Sequence, residues 1–151
     1  QKNILRRFQN ISREKGKEGV VLLAYGDGTY LKEWSELLSS VGKYVENNAG
    51  ISGYSFGWCG HIAHYSPDST TAAINRVLRK KEKAVVIPVL VAHDEMFQVK
   101  IIGDGIAKIP DYKNRVIYKP DALLPDENLE RWIIQITRDF ETRISGENTL
   151  N

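Results

Sequence analysis

The sequence predicts an α/β domain in three layers, a four-stranded, mainly parallel sheet with helices on both faces. Three observations carry this. Residues 20–24 (VVLLA) and the start of the stretch 85–97 (VVIPVLVAHDEMF) are apolar, β-branched runs without polar alternation, the pattern of strands buried on both faces. Strand-like and helix-like segments alternate four times along the chain, which implies right-handed crossovers and a parallel sheet. The 151 residues, 42% of them hydrophobic, suffice for one such core and not for two.

Composition excludes several classes of partner. The net charge of +2 is nearly balanced, which argues against nucleic acid or an anionic membrane as an obligatory partner. The densest basic run, Arg79, Lys80, Lys81 and Lys83, falls where a helix should end and where cations complement the helix dipole. One cysteine, Cys59, excludes an intramolecular disulfide framework. No apolar run approaches the roughly 20 residues of a membrane span. The chain opens on Gln1, which leaves localisation open between cytoplasmic and, where a leader has been removed, exported.

Taken in order, residues 1–19 are basic and polar, with Ile4, Phe8 and Ile11 at helical spacing; they predict a lead-in helix lying on the domain surface and a linker over 15–19. The α/β domain is expected over 20–144. After strand 20–24, Gly26-Asp27-Gly28 makes a tight turn, Thr29 can cap, and Leu31, Trp34, Leu37, Leu38, Val41, Tyr44 and Val45 form the expected buried stripe of a helix that ends at Gly50. Residues 51–58 read as the second strand. Ser66-Pro67 opens a helix running to about Lys81. A helical segment after Glu95 is loosened by Gly103 and Gly105, and residues 115–118 (RVIY) are a short fourth strand. Pro125-Asp126 starts the clearest helix, with Leu129, Trp132, Ile133, Ile136, Phe140 and Ile144 as its buried face. Residues 145–151 should fray.

In such sheets ligands sit beyond the carboxyl ends of the strands, here the loops 25–29, 59–66 and 92–97. All three histidines, His61, His64 and His93, lie in two of these loops. Imidazole binds zinc, cobalt, nickel and iron and titrates near neutral pH. An open, exchangeable metal position shared by His61 or His64 with His93 and Glu95 is the expectation, with Cys59 either an added thiolate or a small buried hydrophobe. Asp94 and Glu95 have an alternative role in opening a helix. The Gly26-Asp27-Gly28 turn matches no phosphate-binding loop, so no nucleotide is expected.

Three segments in this order carry a resemblance: VVLLAYGDG entering a helix, SPDSTTAAINRVL followed by VVIPVLVAHDEMF, and ALLPDENLERWI near the end. Over essentially residues 20–140 the chain resembles the class II tetrapyrrole chelatases, in particular the small sirohydrochlorin cobaltochelatase type. The resemblance implies a chelatase-like (flavodoxin-like) fold and a lyase-class activity of cobalamin or sirohaem biosynthesis. That activity inserts a divalent metal substrate (cobalt, iron or nickel) into a tetrapyrrole such as sirohydrochlorin. The chain departs from the family where it matters. Tyr25 stands where the first family histidine falls, Met96 at the second, and Asp94 at the glycine before it. The expected site is therefore a displaced one, with His93 and Glu95 catalytic, His61, His64 and His93 binding metal, and Tyr25, Gly26, Asp27 and Met96 bedding the ring. The alternative is a non-catalytic tetrapyrrole- or metal-binding module, the inert half of a homodimer or of an assembly with a second chelatase-like domain.

Overall fold

A computed structural model describes residues 1–147. Four strands, β1 (Glu18–Ala24), β2 (Tyr54–Trp58), β3 (Lys83–Val89) and β4 (Val116–Tyr118), form one sheet in the order β2-β1-β3-β4, and every pair is parallel. The doubly-wound order puts β1 and β3 in the middle, where both faces are covered, which is why these two segments lack polar alternation. All seven residues of β1 are buried. Its side chains alternate between two cores: Val20, Leu22 and Ala24 meet helices α1 (Lys2–Ile11) and α2 (Leu31–Ala49), while Val21 and Leu23 meet α3 (Asp68–Leu78) and α4 (Ile102–Ala107). At about 1.5–3 kcal/mol for each buried aliphatic side chain, these two strands hold the domain together. No helix among the described residues is long and apolar enough to cross a membrane.

Local chemistry moves several boundaries. Gly50 ends α2 in a left-handed conformation (φ 67°), and residues 51–53 form the exit turn, so β2 begins at Tyr54 rather than at 51. Asp27, not Thr29, caps the approach to α2, its carboxylate accepting from the Thr29 N–H at 2.8 Å. The segment after Asp94 is helical, but Glu95–Ile101 is wound as a π-helix before α4 begins. A one-turn helix, α5 (Tyr112–Arg115), precedes β4.

The two ends of the chain differ most from the sequence-based expectation. The first helix is no surface appendage: Phe8 is fully buried and Ile4 nearly so, against Val85 and Ile87 of the sheet. Arg7, itself buried, donates to the Pro88 carbonyl at 2.6 Å and pairs with Asp121. The expected linker at 15–19 is partly strand. Glu18 is buried within β1, and its carboxylate accepts from Ser12 Oγ, Arg13 N–H and Glu14 N–H at 2.5, 2.9 and 2.9 Å, closing the turn out of α1. The last helix, α6 (Glu127–Glu147), forms as expected, yet the face expected to be buried is not: Trp132, Ile133, Ile136, Phe140 and Ile144 are all exposed. The reason is competition, because α1 already lies over β3 on the α2 side of the sheet. The helix runs through Glu147, so the expected frayed tail is shorter at its start, and residues 148–151 lie outside the described residues.

If α1 is a core element, Phe8→Ala should destabilise the protein by about 3–5 kcal/mol, the range for deleting a buried aromatic side chain. Urea denaturation checks this. A loss under about 0.5 kcal/mol, as for a surface substitution, would mean that α1 does not belong to the core.

Candidate functional site

Because Ala24 pairs with Trp58 on one side and with Val89 on the other, three strands end level and their following loops share one edge. The first two tips continue the ladder past the strands, Cys59 N–H donating to Ala24 O at 2.9 Å and Gly60 N–H to Tyr25 O at 3.0 Å. This lays the Tyr25 ring against Gly60, where a Cβ would stand 2.5 Å from the ring. Gly26 turns the chain with φ +73° and is buried against Trp58 and Ile62, where a side chain would not fit.

The loop after β2 makes a single turn over His61–Ala63 and then carries two residues in the left-handed region, His64 (φ 49°) and Tyr65 (φ 58°). For a tyrosine this conformation is an outlier that costs about 1–3 kcal/mol and persists only where surroundings impose it. Here the Tyr65 N–H is held by Gly60 O at 3.0 Å. The result is a meeting of rings. The Tyr65 and Tyr25 hydroxyls are 3.1 Å apart, and Tyr65 stacks on Phe97 with centroids 6.3 Å apart and planes 27° from parallel. Phe97 meets Tyr25 edge-on at 5.2 Å, and His61 lies 5.0 Å from Tyr25 and 5.5 Å from Tyr65.

The π-helix after β3 supplies Phe97. Asp94 caps it, accepting from the N–H groups of Met96 (2.8 Å) and Phe97 (3.4 Å). Buried Gln98 fastens the tip from beneath: its Oε1 accepts from Asp94 N–H at 2.9 Å, and its Nε2 donates to Ala92 O and Asp121 O at 3.2 and 3.3 Å. A π-helical insertion is costly in an ordinary helix and is frequent at functional sites. His93, Glu95 and Met96 stand exposed on this tip.

The electrostatics assign roles. Hydrogen bonding to Tyr65, with burial and the nearby Tyr65 and Asp27 adding to it, holds the Tyr25 phenol above the ordinary tyrosine range; it is a hydrogen-bonding group near neutral pH and not a base. Burial pushes the Cys59 thiol up to about 12, and Cys59 packs in the α3-side core with its Sγ 3.4 Å from Ala24 O. It is the buried hydrophobe of the two expectations.

The expected site residues therefore divide. Tyr25 and His61 come together; His64, His93, Glu95 and Met96 are exposed on the tips. Asp27 is engaged in its turn, and Gly26 is covered. Among the described residues no group of three or more His, Cys, Asp or Glu is placed to hold a metal ion, so His61, His64 and His93 do not constitute a ready-made ligand cage. Cys59 is buried in the core and Asp94 caps the π-helix, so neither adds a free donor beside the exposed imidazoles. Sequence reasoning missed Tyr65 and Phe97. The only signal for them was their place in loops that follow strand ends. No protein-family model matches the chain, and no curated protein matches it.

A folded-state pKa raised above the unfolded value favours the protonated thiol in the native protein. The Cys59 contribution is thus complete below the ordinary thiol pKa of about 8.5 and falls as pH rises from there toward about 12, by up to about 1.4 kcal/mol per pH unit. Denaturation measured across this window should show a shallower alkaline decline in Cys59→Ala than in the wild type. Equal slopes would mean that the thiol is not desolvated.

Proposed function

We propose that this is a chelatase-like domain that seats a flat tetrapyrrole, such as sirohydrochlorin, on the carboxyl edge of its sheet and delivers a divalent metal (cobalt, iron or nickel) into the ring. The observation that carries the reading is the convergence of Tyr25, Tyr65, Phe97 and the His61 imidazole at one strand edge, beside the tip that bears His93 and Glu95. A macrocycle offers a broad apolar face with acidic groups at its rim. Aromatic side chains suit the face, each ring pair contributing about 0.5–1.5 kcal/mol beyond area burial.

The metal is substrate and must leave. A closed cage of three or four protein donors would retain it, whereas one or two imidazoles hold it while ring nitrogens complete the coordination. Two pyrrole protons have to go elsewhere as the metal enters. The His93 imidazole and the Glu95 carboxylate, both exposed on the tip beside the rings, are the acceptors in this reading. Tyr25, kept protonated by Tyr65, orients the ring rather than taking a proton from it.

A second reading, a non-catalytic module that binds the ring without metallating it, is favoured by Tyr25 and Met96 standing where the resembled family has histidines. Absorbance of sirohydrochlorin with Co2+ separates the two. The first reading expects turnover that His93→Ala lowers by about 10²–10⁴-fold, the range for losing a general base, and that Tyr25→Ala impairs through weaker ring binding. Ring binding without turnover establishes the second reading. Neither binding nor turnover excludes both.

A further inference from the structure

We infer that α6 pairs with α6 of a second copy of this chain, antiparallel, about a two-fold axis at Ile136 and Thr137. The inference is independent of the proposed chemistry.

Among the described residues nothing covers most of the apolar face of α6. Trp132 is 59% exposed, Ile133 52%, Ile136 46%, Phe140 62% and Ile144 45%, and these residues recur at steps of three and four along one side. A helix whose stripe faces water is stabilised by docking and not by propensity. With aromatic side chains of about 150–250 Å² each, the exposed fractions leave roughly 500 Å² of apolar surface per copy. That matches the non-polar share of a standard interface, about 800 Å² per partner and a little over half apolar. It also lies at the upper end of what monomers leave exposed.

Self-complementarity points to a second copy. Leu129 and Ile144 lie equally far from the midpoint between Ile136 and Thr137, as do Ile133 and Phe140. Inversion about that point therefore places Leu129 opposite Ile144 and Ile133 opposite Phe140, which is the condition for a two-fold interface. Trp132 and Arg143 lie about three turns apart on the same flank, so inversion brings the guanidinium of one copy toward the indole of the other, a favourable cation–π pairing. Among the described residues Arg143 is in no ion pair within its own chain.

The root of the helix is fixed, so the stripe is presented in a defined direction. Asp126 caps α6 through the Leu129 N–H at 3.0 Å and is held to α1 by Asn3 at 2.8 Å and by an ion pair with Arg6. Beside that root an apolar groove of about 530 Å³ runs between α1, α2 and Trp132, with Leu37 and Val41 in its wall. The partner's carboxyl-terminal half, bearing Phe140 and Ile144, passes next to this groove.

Light scattering on the full 151-residue chain, over a wide concentration range, should give twice the chain mass. Ile133→Asp should give the chain mass and a melting temperature that no longer rises with protein concentration, with the sheet core still folded, because α6 does not support the core. Under mild oxidation Ile136→Cys should form a disulfide-linked dimer, while Arg131→Cys, on the opposite side of the helix, should not; Cys59 is buried and stays out of the reaction. A monomer at every concentration overturns the proposal, as does a dimer indifferent to Ile133→Asp. Cross-linking of Arg131→Cys in preference to Ile136→Cys overturns the antiparallel geometry.

Discussion

Ala24 lies opposite both Trp58 and Val89, and this level ending of three parallel strands is the constraint from which the rest follows. It is enforced by burial. With every side chain of β1 out of water, a slip of one residue would exchange the two cores and bring Glu18 out of its ring of donors. Fixed strand ends fix the first residues beyond them, so Tyr25 and Gly60 continue the ladder and the loop after β2 must cross over Tyr25. The left-handed pair His64 and Tyr65 is the local cost of that crossing. The ring cluster is what the strain holds in place.

The same sheet explains the molecule's unfinished surface. A parallel sheet of four strands needs a cover over β3 on the α2 side, and the chain carries two amphipathic helices able to supply one. The shorter, α1, wins because Arg7 reaches the Pro88 carbonyl and Asp121 while Phe8 fills the core beneath. The longer is tied to the outcome through Asp126, which caps it and is held by Asn3 and Arg6 of α1. Burial raises that carboxyl, but Asn3, the Leu129 N–H and Arg6 outweigh it and hold the group below the ordinary carboxylate range. The first helix thus also anchors the start of α6.

Much of this was legible in the residues. Uninterrupted runs such as VVLLA announce central parallel strands, and the four alternations announce the layers. The destination of α6 was not legible: Leu129, Trp132, Ile133 and Phe140 specify that a face will be buried, but periodicity is silent about which surface buries it. The extent of α1 was masked by its polar composition, since only two of its residues, Ile4 and Phe8, carry most of its core contact. At the site, the three loops and Tyr25 could be found from strand ends alone. The partnership of Tyr65 and Phe97 depends on a left-handed backbone and a π-helical turn, which leave no periodic trace. The three imidazoles attracted attention by residue type, and type does not encode whether donors converge.

The central claim is that the carboxyl edge presents an aromatic bed for a planar macrocycle. Amide chemical-shift mapping of the ¹⁵N-labelled protein, titrated with sirohydrochlorin, tests it most directly. The account predicts that the largest shifts fall on residues 25–27, 60–66 and 93–98, with the amino edge of the sheet silent. Shifts centred instead on the groove beside α6, or scattered without saturation, would contradict it.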